Sequence, residues 1–96
     1  MLLRDYIGNA LHNERTTQGR TLRDVSKKSI MSLGYLSELE RGKKEVSSEM
    51  LTSICNALYI TLPELMIDIA VAMQKDSDKE FSVELSTLDH KDPVNI

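Results

Sequence analysis

Thr21 and Ser32 each head a short run of helically spaced apolar residues, and only about three positions separate the end of the first run from the second cap. Thr21 followed by Asp24 is a capping-box-like start, in which hydroxyl and carboxylate satisfy orphan amides before Leu22 and Val25 turn inward. This predicts a short helix ending near Ser29. Ser32 is the next N-cap, Leu36 and Leu39 form the buried side of a third helix, and Gly42 can close it in a left-handed conformation. Two short helices joined by so tight a turn have helix-turn-helix geometry, whose second helix enters the DNA major groove.

The rest of the chain reads as more helix. Leu3, Ile7, Ala10 and Leu11 follow one helical face, predicting a first helix over about Leu3 to Thr17, ended by Gln18-Gly19. Ser47 or Ser48 can cap a fourth helix with Leu51, Ile54, Cys55 and Leu58 inward, so Cys55 reads as a small core residue. Thr61 with Glu64 is a further capping box, and Pro63 falls in a first turn where its missing amide is harmless. The fifth helix is expected to reach about Met73. Leu65, Met66 and Ile69 make one of its stripes, and Ile67, Ala70 and Val71 continue around it, so it needs a second burial partner. The expectation is an all-α, five-helix domain over 1–73 and an acidic tail over 74–96, disordered or docked on a dimer partner. Within that tail Phe81, Val83 and Leu85 alternate as a strand would, but are too few to stabilise one.

Ninety-six residues suffice for one core. A single Cys rules out an intramolecular disulfide and suits a reducing cytoplasm. The most apolar stretch, Ile60 to Met73, contains Pro63, Glu64 and Asp68 and is shorter than the roughly 20 residues that cross a bilayer. The net charge of −3 hides a division: residues 1–44 carry nine Lys or Arg against five acids, and residues 45–96 carry three against ten. One surface is thereby suited to a polyanion while the rest repels it; plain solvation of helix faces explains the charges equally well. His12 and His90 lie far apart, and no zinc-ligand spacing, phosphate loop or nucleophile triad is present. Neither an enzyme nor a bound metal or cofactor is expected.

The segment TLRDVSKKSIMSLGYLSELERGKKEVSSEMLTSICNAL, residues 21–58, resembles the lambda-repressor-like regulators of the Cro/C1 or XRE type. The matching positions are Thr21, Val25-Ser26, Ser32, Leu36, Leu39 and Glu40-Arg41-Gly42, with Ile54 to Leu58 and Leu62 to Leu65 resembling the fourth helix and the start of the fifth. More narrowly, Leu2-Leu3-Arg4, residues 32–42 and the Lys44-Glu45-x-Ser47-Ser48 run are similar to the Clp gene regulators of actinobacteria. That resemblance implies a regulator that activates genes of the Clp protease system. It also implies that Arg15 and Glu40 form a partly buried pair joining helices one and three. Two positions depart from the pattern. Leu22 stands where a phosphate-contacting Gln is usual, leaving only its backbone amide for an anion. Ile30 replaces a frequent turn Gly, so the turn must avoid positive φ or tolerate strain.

Read on the residues, the third helix presents Ser32, Leu33, Gly34, Tyr35 and Glu38 towards base edges. Gly34 permits close backbone approach, or is merely a tolerated glycine. Leu33 can bury a thymine methyl, or staple onto helix two. Tyr35 can reach a phosphate or a base, or pack at the solvent edge. Glu38 can accept from cytosine N4, discourage wrong sequences, or pair with a nearby Lys. Thr21, Leu22, Arg23, Arg41, Lys43 and Lys44 are the expected phosphate contacts, which add affinity without sequence information. Ile67, Ala70 and Val71 are the expected two-fold interface. The resulting expectation is a homodimer on a palindromic double-stranded operator with half-sites about 34 Å apart; activation would add RNA polymerase as a partner, met by the acidic half. The alternatives are a phage-type repressor, an antitoxin, or an adaptor that keeps the fold without DNA binding.

Overall fold

The computed structural model describes residues 1–88, with side chains through residue 78. Five helices follow in order: α1 (Leu3–Thr17), α2 (Leu22–Ser29), α3 (Leu33–Glu40), α4 (Ser48–Ala57) and α5 (Leu62–Leu88). The caps are those the sequence encodes. Thr21 and Asp24 exchange bonds, Thr21 Oγ1 accepting from the Asp24 amide and Asp24 Oδ2 from the Thr21 amide. Ser32 and Ser47 accept from the amides of Tyr35 and Met50, and Thr61 and Glu64 repeat the reciprocal box at the head of α5.

The core forms where the inward stripes meet. Leu11, Leu39, Ile54, Cys55, Leu58 and Leu65 are fully buried, with Val25, Leu36, Leu51 and Ile69 around them. Helix α1 packs on α3 and α5, α2 packs on α3 and α4, and α4 packs on α5. Burial raises the Cys55 thiol pKa, with the charge of Glu14 adding to it, which marks a packing residue and not a thiolate. At Gly8, α1 and α3 touch backbone to backbone: a Cβ there would lie 2.5 Å from the Leu39 carbonyl oxygen and 2.6 Å from that of Glu40.

Two turns run through left-handed backbone without glycine. Ile30 ends α2 at φ 60°, its amide donating to the Ser26 carbonyl. The turn thus accepts the strained geometry that the sequence left as one of two options. Its side chain is 92% exposed, so no burial offsets the strain. Tyr59, after α4, has φ 58°, and Arg20 and Lys28 stand 4.7 and 4.8 Å from its ring centroid.

The fifth helix departs from expectation by continuing to Leu88 instead of stopping near Met73. No Gly or Pro interrupts the chain from Glu64 to Leu88, and polar residues such as Gln, Lys and Glu are good helix formers. Gln74 donates to Asp78 one turn on, and the Tyr6 hydroxyl donates to Asp76 at 2.6 Å, tying the extension to α1. The backbone at Phe81, Val83 and Leu85 is therefore helical. His90 and the end of the tail lie outside the described residues. Among the described residues no single helix is long and apolar enough to cross a membrane.

Candidate nucleic-acid interface

With Leu36 and Leu39 facing the core, the 100° step of a helix puts Gly34, Ser37, Glu38 and Arg41 on the opposite side of α3 and Leu33 at its edge. Ser32, Leu33 and Gly34 are exposed. A Cβ on Gly34 would meet nothing within 4 Å, so the fold itself does not require the glycine; it leaves the middle of the outward face low. Ser37 shares this face and was not singled out from sequence, although its phase between Leu33 and Arg41 was there to be read. Glu38 Oε1 lies 3.7 Å from Lys44 Nζ, so its carboxylate has the Lys partner that was one of its alternatives.

Tyr35 is placed differently from the outward set. At its helical phase the ring falls on the flank towards the core and is half-buried against it. Its hydroxyl donates to the Glu45 carbonyl oxygen. Burial, and secondarily the charge of Glu45, raises its pKa. Ser32 Oγ accepts from the Tyr35 amide at the helix cap, which leaves its hydroxyl hydrogen to donate elsewhere.

Cations flank this face. Arg23 is exposed in the first turn of α2, where Thr21 is also exposed and the Leu22 side chain packs on the core. The Leu22 amide remains at a helix N-terminus, the end that favours anions. Beyond α3, Arg41, Lys43 and Lys44 are exposed on a tight loop. That loop is fixed by backbone bonds from Gly42 to Leu39 and from Lys43 to Glu38, with Gly42 left-handed at φ 73°. Two residues to which the sequence assigns no role also hold it: Arg4 Nε donates to the Gly42 carbonyl at 3.0 Å, and Arg4 Nη1 bonds Glu45 at 2.6 Å.

Behind the face, Arg15 and Glu40 form a two-bond pair, Nε to Oε2 at 2.7 Å and Nη2 to Oε1 at 2.9 Å. Their side chains are 13% and 12% exposed. Arg15 also donates to the Arg20 carbonyl, so one guanidinium joins α1, the end of α3 and the approach to α2. Burial works to raise the Glu40 carboxyl, but the bonds from Arg15 and His12, with their charges, overcome it and hold the pKa below the usual value. The hydrogen bond to Glu40 raises that of Arg15.

On α5 the core takes Leu65 and Ile69, leaving Ile67, Ala70 and Val71 exposed on the far side. A groove of about 670 Å³ runs between α1 and α5, past Tyr6, Asn13, Val71 and Lys75. Among the described residues no cluster of His, Cys, Asp or Glu could hold a metal ion.

A capped, tightly turned α2–α3 pair whose second helix projects an uncovered face between cations is the DNA-reading unit of helix-turn-helix proteins. A helix-turn-helix family model matches residues 11–65, and the chain belongs to that family. Over 74 residues it is 50% identical to the transcriptional regulator ClgR of Mycobacterium tuberculosis, an alignment covering 77% of this chain and 66% of the relative's length. The crystal structure of the clp gene regulator ClgR from Corynebacterium glutamicum superposes with a TM-score of 0.80 at 42% identity, over 94% of this chain and 96% of that one. The restriction-modification controller protein C.Esp1396I bound to a 25 base pair operator site shares the fold, with a TM-score of 0.73 at 19% identity, covering 77% of this chain and 97% of that one. The named relatives are regulators, not enzymes.

Proposed function

We propose that the chain is a sequence-specific transcription regulator of Clp protease genes, acting in the cytoplasm as a homodimer on a palindromic operator. The observation that carries this is the outward face of α3, with Leu33 and Gly34 exposed and Ser37 and Glu38 partly exposed between the cations of α2 and the 41–44 loop. Helix α3 enters the major groove. Arg23, Arg41, Lys43, Lys44 and the α2 N-terminus at Thr21 and Leu22 take phosphates, fixing register so that Ser32, Leu33, Gly34, Ser37 and Glu38 meet base edges. Once a phosphate draws Lys44 away, the Glu38 carboxylate is released to accept from cytosine N4. Ile67, Ala70 and Val71 close the two-fold contact, with the α5 extension docked on the partner. The ClgR names support the Clp assignment, and activation brings RNA polymerase as a second partner. The adaptor alternative loses ground because the basic flanks of α3 remain exposed.

The test is Arg41→Ala, Lys43→Ala and Lys44→Ala together, measured on DNA selected from a random duplex pool. Folding should hold within about 0.5 kcal/mol per surface change. Operator affinity should collapse, and the slope of log affinity against log salt should fall by about 0.9 for each phosphate that is no longer neutralised. Undiminished binding would place the phosphate face elsewhere.

A further inference from the structure

We infer that Arg4, near the N-terminus and outside the helix-turn-helix pair, is a positioning residue for DNA binding. It clamps the loop that carries Lys43 and Lys44, a role that rests on the DNA-binding reading above. Its guanidinium bridges the two ends of the loop, bonding the Gly42 carbonyl on one side and the Glu45 carboxylate on the other. Glu45 is held a second time, from α3, by the Tyr35 hydroxyl on its carbonyl. The two lysines therefore sit between anchored residues, and the anchors come from different helices.

The approach is close as well as bonded. A Cβ on Gly42 would run into the Asp5 carboxylate, so α1 lies against the loop with no room for a side chain. Two flexible lysines are poor at reading position, because a long side chain on a loose loop loses entropy whenever it binds. A loop pinned at both ends removes the backbone part of that loss before DNA arrives. This also accounts for Tyr35: its hydroxyl serves the clamp and not the DNA.

Charge gives a contrast of sign. Glu45 is an acid beside a DNA-facing loop, so electrostatics alone predicts that Glu45→Ala tightens DNA binding. The clamp predicts that it weakens binding, despite the gain in net positive charge. For Arg4→Ala, a direct phosphate bond would lower the salt slope by about 0.9 per protomer, whereas release of both lysines lowers it by about twice that. Tyr35→Phe, which changes no charge, should move the slope in the same direction.

The experiment measures amide hydrogen exchange and operator binding on the full chain, with far-UV circular dichroism melts to verify folding. Exchange at Gly42 and Lys43 should rise at least about ten-fold in Arg4→Ala while α4 stays protected, since a surface clamp gates local and not global opening. Operator affinity should fall about ten-fold in both Arg4→Ala and Glu45→Ala. Unchanged exchange, or tighter binding by Glu45→Ala, would overturn the clamp. Absence of DNA binding by the unmutated chain would instead overturn the parent reading, and the exchange data would still decide whether Arg4 holds the loop.

Discussion

Replacing Ile30 by glycine should make the protein more stable, although it removes a hydrophobic side chain. Ile30 sits at φ 60°, ψ 35°, where an L-residue is disfavoured by about 1–2 kcal/mol, with a β-branched side chain at the upper end. Glycine relieves that strain but gives back about 0.5–1 kcal/mol through the greater freedom of the unfolded chain. Packing contributes close to nothing because the side chain is 92% exposed, and the amide bond to Ser26 is retained. The net is about 1 kcal/mol in favour of Ile30→Gly, which for a domain of this size raises Tm by about 4–8 °C. Equilibrium urea melts by circular dichroism would measure it, with Ile30→Ala as the control. Alanine removes the exposed apolar surface but keeps a Cβ, so most of the strain stays. A gain for glycine alone supports the strain account; equal gains for both would trace the effect to surface hydrophobicity, and a loss for glycine would refute the reasoning.

Gly8→Ala should destabilise by about 2 kcal/mol or more, because the new methyl meets two backbone carbonyls that cannot rotate away; a shifted urea midpoint would show it, and operator affinity should drop with it. Glu40→Gln should cost about 3 kcal/mol by leaving the largely buried Arg15 short of its charge partner. Because the folded Glu40 pKa is held below its ordinary value, the stability it contributes is complete above that ordinary value and disappears as pH falls through the lowered one. Acid unfolding curves of Glu40→Gln should lose this component and be flatter at low pH. Val71→Asp, placed on the exposed side of α5, should shift sedimentation from dimer to monomer and weaken operator binding, while leaving the monomer's melt within about 0.5 kcal/mol.

Most helix boundaries were legible because the chain marks them chemically. Thr21, Ser32, Ser47 and Thr61 each have a hydroxyl that can accept from an amide a turn ahead, and the structure makes all four bonds. The far end of α5 is not legible in its polar composition, because Gln, Lys and Glu suit a helix as well as a tail and no Gly or Pro marks a stop before Leu88. For Tyr35 the edge packing that the sequence leaves open is the one the structure shows, whereas the bond of its hydroxyl to Glu45 depends on where the loop after α3 returns. Arg4 and Glu45 belong to the runs that carry the family resemblance, but the bond between them is not legible there: they lie 41 positions apart, and no local pattern announces so distant a bond. Ser37 is the opposite case, a residue whose place on the outward face follows from its phase on α3 alone.

The backbone approach at Gly8 has a consequence for how such a protein can change its target. Helix α3 is held by main-chain proximity to α1, by Leu36 and Leu39 in the core, by the Ser32 cap and by Glu40 on Arg15. None of these uses the side chains of Leu33, Gly34 or Ser37. On the proposed DNA-binding reading, the letters of that face can therefore be rewritten while the frame that aims them stays fixed, and a library confined to those three positions should yield folded proteins with altered operators.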